Sequence, residues 1–140
     1  MLKDKIRIVS LPIGGPDEAE RRVFSPKGEL AQIVNGTAAV RHLVYWDLDS
    51  PRSGQTRGSH YHRIKTEVCY VLTGEIEVTA VDRETSERAI LIVRDGDRIT
   101  LAPGVAHSYR SKGYAQALEL LPDPYDATDT VPFPVQGQLS

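Results

Sequence analysis

Three histidines and one glutamate carry the chemistry this sequence offers: His60, His62, Glu67 and His107. His60 and His62 stand two residues apart, and on a strand side chains at that spacing leave from the same face. Glu67 follows across Arg63–Thr66, long enough for a turn into the next strand that returns a carboxylate alongside the imidazoles. The run Ala102-Pro103-Gly104-Val105-Ala106 leads into His107, which can supply a third imidazole. Neutral nitrogens converging with one charged oxygen suit a borderline divalent metal. The expected cofactor is therefore one divalent ion, and Zn, Fe, Ni and Mn all accept these ligands. Such a set leaves one or two coordination positions open, the mark of a site for chemistry rather than of a closed structural site. A single histidine is more simply a structural side chain with satisfied hydrogen bonds, and His42, outside the pattern, is read that way.

The elements that must position these residues are strands. Ile6–Leu11, Glu29–Val34, Val40–Leu48, Ala89–Val93, Arg98–Leu101, His107–Arg110 and Gln116–Leu121 are short runs rich in branched and aromatic residues, punctuated by Gly, Pro and Asn. Val68–Thr73 and Ile76–Val81 flank Gly74-Glu75 and read as a hairpin, while Asp82–Arg88 reads as a surface loop. Asp17–Arg22 has the charge for one helical turn, Phe24–Gly28 reads as a turn, and Asn35-Gly36 reads as a tight reversal. No stretch of helix length keeps an apolar period of 3.6. The fold class expected is all-β, a sandwich or barrel spanning residues 1–121. Residues 122–140, with four prolines, read as an extended tail over the surface or over a partner subunit.

A chain of 140 residues is long enough to bury a core without staples. Its formal net charge of −2 and lack of a long basic run argue against nucleic acid or an anionic membrane as partners. Cys69 is the only cysteine, so no intrachain disulfide forms, which fits a reducing cytoplasm. The first residues are charged, and nothing approaches the roughly 20 apolar residues of a membrane span. The expected location is the cytoplasm.

With these residues in place, the chain resembles the cupin superfamily. The first motif of that family is a glycine, five residues, His-x-His, three or four residues, Glu, six residues and a glycine, and Gly54, His60, His62, Glu67 and Gly74 meet every element. The second is a glycine, five residues, Pro-x-Gly, two residues, His, three residues and Asn. Gly96, Gly104 and His107 match it, while Ala102 replaces the first proline and Ser111 the asparagine. The resemblance implies a single-domain jelly-roll β-barrel, often a homodimer, with a metal held inside by His60, His62, Glu67 and His107. A narrower likeness rests on Lys27-Gly28-Glu29-Leu30, on Thr56–His62 with Lys65-Thr66-Glu67, and on Pro124-Tyr125-Asp126. These are similar to the cupin domain at the C-terminus of capsular-polysaccharide nucleotide-sugar epimerase/reductases, whose reductase domain is not among these residues, and to stand-alone sugar-epimerase-type cupins.

Other residues are placed around that site. Arg57, three residues before His60, can hold a carboxylate or phosphate by a bidentate fork, or simply be a solvated arginine. Lys65, in the turn between ligand strands, can touch substrate or point to solvent. Tyr109, two past His107, shares its inward face, as a general acid or as barrel filling. Tyr45 and Trp46 face opposite ways on their strand, so one of them should line the cavity, and Tyr45 is taken as a substrate contact. Cys69, at even spacing from Glu67, reads as an inward apolar filler. The function expected is an isomerase or epimerase of a nucleotide-linked keto-sugar, in which a metal binds the keto oxygen and Tyr109 supplies a proton. The alternatives are an Fe(II)-dependent dioxygenase and a non-catalytic small-molecule binding module.

Overall fold

A computed structural model describes residues 1–135. In chain order the strands are β1 (Ile6–Ser10), β2 (Arg21–Ser25), β3 (Gly28–Gln32), β4 (His42–Asp49), β5 (Arg57–His62), β6 (Glu67–Thr73), β7 (Glu75–Asp82), β8 (Arg88–Arg94), β9 (Asp97–Leu101), β10 (Val105–Ser111), β11 (Tyr114–Leu121) and β12 (Thr130–Pro132). One helical turn, α1 (Ser50–Ser53), follows β4. Two five-stranded antiparallel sheets face each other, ordered β1-β9-β6-β11-β4 and β12-β5-β10-β7-β8, with β2-β3 as a separate hairpin. The all-β jelly roll is present, and its two sheets stay distinct, a sandwich rather than a closed ring.

From β4 to β12 the chain passes between sheets at almost every connection, and β7–β8 is the one pair of successive strands that stays within a sheet. Inward residues of both sheets, Trp46, Val71, Ile76, Val78, Ile99 and Tyr109 among them, form one buried cluster. Each such side chain contributes ~1.5–3 kcal/mol of transfer free energy.

Several local expectations change. Gly74-Glu75 is not a hairpin: β6 belongs to the first sheet and β7 to the second, so the pair is a corner. Gly74 sits at φ +92°, and a Cβ there would lie 2.5 Å from the Tyr114 carbonyl oxygen. Only glycine lets the corner pass so close to the neighbouring backbone. Residues Arg21–Ser25, read as part helix and part turn, are strand β2. The charge that suggested a helical turn is neutralised by tertiary contacts, because Arg22 reaches Glu29 at 2.7 Å and Asp95 at 3.1 Å. The Asn35-Gly36 reversal connects β3 to a strand of a different sheet.

The segment after 121 is tied into the fold as far as it is described. β12 adds to the edge of β5, and Val135 is fully buried with Tyr61, Val81 and Ala106; residues 136–140 lie outside the described residues. Ser111, which replaces the motif asparagine, exchanges backbone-to-hydroxyl bonds with Ser50 at 2.8 and 2.9 Å, so the α1–β10 junction is closed by a reciprocal pair. Among the described residues no helix is long and apolar enough to cross a membrane.

Gly74→Ala is expected to lower unfolding free energy in urea by at least ~2 kcal/mol, since it combines a left-handed backbone with a main-chain clash. An unchanged denaturation midpoint would show that the corner relaxes freely.

Candidate metal and proton-transfer site

The crossing pattern draws one polar cluster from three strands. His60 and His62 leave the same face of β5, His107 on neighbouring β10 stands directly opposite His60, and Glu67 opens β6 in the facing sheet. The Glu67 carboxylate is buried between them, 3.1 Å from His62 Nε2, 2.8 Å from His107 Nε2 and 3.9 Å from His60 Nε2. Tyr109 donates its hydroxyl to the same carboxylate at 2.5 Å. The inward reading of Tyr109 thus holds, and its proton is engaged by a glutamate rather than by backbone.

A β-bulge in β5 assembles the mouth of the site. His107 faces His60 and Ser108 faces Gly58, so Ser59 is the extra residue, at φ +59°. Gly58 sits at φ +91°, and a Cβ on it would meet the His107 carbonyl oxygen at 2.8 Å. In an unbroken strand Arg57, three residues before His60, would face away from it. The inserted residue reverses that parity and sets Arg57 opposite Tyr109, on the site side. Its guanidinium carbon lies 5.5 Å from the Trp46 ring centroid, and its Nε–H donates to the Asp47 carbonyl at 2.9 Å.

Together these residues line a cavity of about 410 Å³, walled by Trp46, Gly58, His60, Tyr109 and Glu119, with Arg57 at its opening. Trp46 is the inward member of its pair and packs on Tyr109 at 5.4 Å between centroids. Tyr45, 52% exposed, borders the same cavity from the outer face of β4. Lys65 is buried rather than solvated, but it lies against Asp123, Tyr125, Asp126 and Asp129 and is not part of this wall. Cys69 is buried as expected, and burial holds its thiol well above the usual range.

The protons in this cluster are strongly constrained. His62 Nδ1 lies 3.1 Å from the Asp129 carbonyl oxygen and His107 Nδ1 lies 3.1 Å from that of Val105. A carbonyl oxygen only accepts, so each Nδ1 carries a hydrogen; a ring that is neutral then turns its Nε2 lone pair toward Glu67, and a ring that is protonated turns an N–H. Lone pairs facing a carboxylate repel unless positive charge lies between them. His107 Nε2 shows the problem directly: it is buried 2.8 Å from Glu67 Oε2 yet makes no hydrogen bond of acceptable angle. Burial pushes Glu67 up, but the facing His107 and the other imidazoles outweigh it and hold the carboxyl well below its usual range. His60, His62, Glu67 and His107 offer four donor atoms all within 4.8 Å of one another. That spacing suits ligands ~2.0–2.2 Å from a single cation, so the residues fit the divalent ion expected from the sequence.

Glu119 is the functional residue that the sequence reading missed. It follows Ala115 and Ala117 on the inward side of β11 and reaches the cavity wall. Burial, then the Glu67 charge, raises its carboxyl from 4.5 to about 7, against the opposing pull of His107 and a hydrogen bond from Trp46. The signal was available: on a strand with small residues at the inward positions, a glutamate at the same parity has no solvent to face.

The model of the family described as "Cupin domain" matches residues 50–121 of this chain. No curated protein matches. Among solved structures, a 3,4-ketoisomerase from Thermoanaerobacterium thermosaccharolyticum, a double mutant in complex with TDP, is 18% identical with a TM-score of 0.73, covering 91% of this chain and 86% of that one. A TDP-quinovose 3,4-ketoisomerase from Campylobacter jejuni is 17% identical with a TM-score of 0.71, covering 90% and 91%. A dTDP-6-deoxy-D-glucose-3,5-epimerase from Legionella pneumophila, in complex with dTDP-4-keto-L-rhamnose, is 17% identical with a TM-score of 0.67, covering 91% and 71%. At these identities the likeness is one of fold.

Glu119 makes stability depend on pH with a defined sign. A carboxyl raised from 4.5 to about 7 holds its proton longer in the folded chain than in the unfolded one. In metal-free protein its contribution to stability therefore falls as pH rises between those values and stays low above them. Glu119→Gln should remove that slope and stabilise the fold at pH 8 by about 3 kcal/mol at most for a shift of this size, read as a higher melting temperature. A variant melting curve that runs parallel to the parent's across this range would mean that Glu119 is ionised in the folded protein.

Proposed function

The chain belongs to the cupin family, and we propose that it is an isomerase or epimerase of a nucleotide-linked keto-sugar. The observation that carries the reading is Glu119 on the cavity wall, its carboxyl raised to about 7, beside a second carboxyl, Glu67, that is buried behind His60 and Tyr109 and held well below its usual range. Environments that push two acids apart in this way mark groups with different proton-transfer roles. The support from fold is that the similar structures include sugar 3,4-ketoisomerases and a 3,5-epimerase.

Shifting a keto group to the neighbouring carbon and inverting a centre beside it both start with loss of a proton next to the carbonyl. Both end with return of a proton at a different place. Glu119, on the cavity wall and titrating near neutrality, is the group that exchanges this proton. Tyr109 keeps its own hydrogen on Glu67 and so fixes the direction of that carboxylate; burial and the Glu67 charge hold its phenol well above the usual range. His60, His62, Glu67 and His107 would hold the divalent ion, which when bound supplies Lewis-acid stabilisation of negative charge on an oxygen. Arg57, braced on Trp46 at the mouth, is placed to take the phosphates of a nucleotide that lies outside the cavity while the sugar sits within it.

Keto-sugar nucleotides incubated with the protein in deuterated water should take up deuterium at the carbon beside the carbonyl, followed by NMR. Absence of uptake across such substrates would end the proposal, and oxygen consumption in its place would identify a dioxygenase. Glu119→Gln should slow exchange by about 10²- to 10⁴-fold. Arg57→Ala should raise KM about 10- to 100-fold with kcat nearly unchanged. His62→Ala should remove most bound metal while the far-ultraviolet circular dichroism stays that of the parent; global unfolding would instead make the ion structural.

A further inference from the structure

We propose that Asp129 is a positioning residue for His62, fixing from the C-terminal segment both the tautomer of that imidazole and the loop that joins it to Glu67. Asp129 is 5% exposed and lies far from the cavity's mouth in sequence, yet it is bonded to the site from two directions. Its carboxylate accepts the backbone N–H groups of Arg63 and Ile64, both at 2.9 Å, and of Lys65 at 3.1 Å. Those are successive residues of the short connection between His62 and Glu67. Its own carbonyl oxygen accepts from His62 Nδ1 at 3.1 Å.

One residue therefore holds the imidazole and the path of the chain to the next donor. It is itself well anchored. The turn Ala127–Asp129 is closed by Asp126, whose carboxylate accepts from Thr128 N at 2.9 Å and Thr128 Oγ1 at 2.6 Å. Thr130, the next residue, pairs with His62 in the β12–β5 register. His107 supplies a contrast within the same site. Its Nδ1 is held by Val105, two residues back on its own strand, and owes nothing to the C-terminal segment. Loss of Asp129 should thus disturb one imidazole and spare the other, which a general loss of stability would not do.

The test is nitrogen-15 NMR of the histidine rings in metal-free protein at pH 8, which does not depend on the proposed activity. In the parent, His62 and His107 should both carry a hydrogen on Nδ1, whether or not His107 is also protonated on Nε2. Asp129→Ala keeps the carbonyl that faces His62 but releases the loop that holds the ring against it, so His62 should become a mixture of tautomers while His107 is unchanged, and affinity for added zinc should fall about 10- to 100-fold. Asp129→Asn keeps one oxygen for Arg63 and Ile64 but turns an NH2 toward the Lys65 N–H, so it should restore most of the His62 signal. If Asp129→Ala does not fold, Asp129→Asn decides alone: a partial change confined to His62 supports the proposal. An unaltered His62 tautomer in folded Asp129→Ala overturns it, as does His62 changing together with His107, or, where Asp129→Ala does not fold, an Asn variant with no change at His62. A parent protein that binds no zinc would end the metal reading and leave the tautomer result to decide this one.

Discussion

A carboxylate sunk between imidazoles is the constraint on which the site depends. Glu67 is buried at the interface of the two sheets, and burial alone would strip its charge. It stays ionised because three imidazoles and a phenol hydroxyl converge on it. Backbone carbonyls have already claimed the Nδ1 hydrogens of two of those rings, so in their neutral form the Nε2 atoms bring lone pairs rather than protons. The cluster is stable only with positive charge at its centre. A bound cation meets that demand, and so does an extra proton on an imidazole; burial opposes the proton on His107, while the Glu67 charge draws its affinity up.

The fold follows from bringing these groups together. Had β6 and β7 formed a hairpin, Glu67 would lie in the same sheet as the histidines and point beside them. The Gly74 corner sends β6 across the sandwich, so the carboxylate approaches the rings from the opposite wall. The bulge at Ser59 acts at smaller scale: one inserted residue keeps His60 and His62 inward and turns Arg57 inward as well. Two imidazoles of the buried cluster and the guanidinium at the mouth are thereby carried by one strand.

The clustering of His60, His62, Glu67 and His107 and the jelly-roll class were legible because both rest on short-range spacing: His-x-His on one strand face, turn signals between short apolar runs, and paired motifs. What escaped was set by contacts distant in sequence. The charged run around Arg22 looked helical because Glu29 and, above all, Asp95 supply its partners only after folding. Gly74-Glu75 carries the same residues whether the next strand returns in the same sheet or crosses to the other, and the nearby Tyr114 carbonyl decides between them. The C-terminal segment, Pro-rich and weakly apolar, owes its order to β5 and to the loop that Asp129 caps. Glu119 was overlooked for a different reason: inward parity on β11 was legible, but a charged residue among branched neighbours reads as a solvated face until the opposing wall is known.

On the proposed function, Glu67 and Glu119 divide the proton-holding roles between them. The two carboxyls are close enough to feel each other, and the charge on the first helps the second keep its proton. Glu67 is surrounded by potential cations; Glu119 has burial, the Trp46 indole hydrogen bond and the more distant pull of His107 and Lys65. The opposition is therefore cooperative: ionising one acid raises the proton affinity of the other, and the low local dielectric strengthens the coupling. A site of this kind has its donor prepared before any substrate arrives. On the proposed function, a carbonyl compound in the cavity would meet Glu119 on its wall, and the guanidinium of Arg57 at the mouth would favour one that bears phosphate.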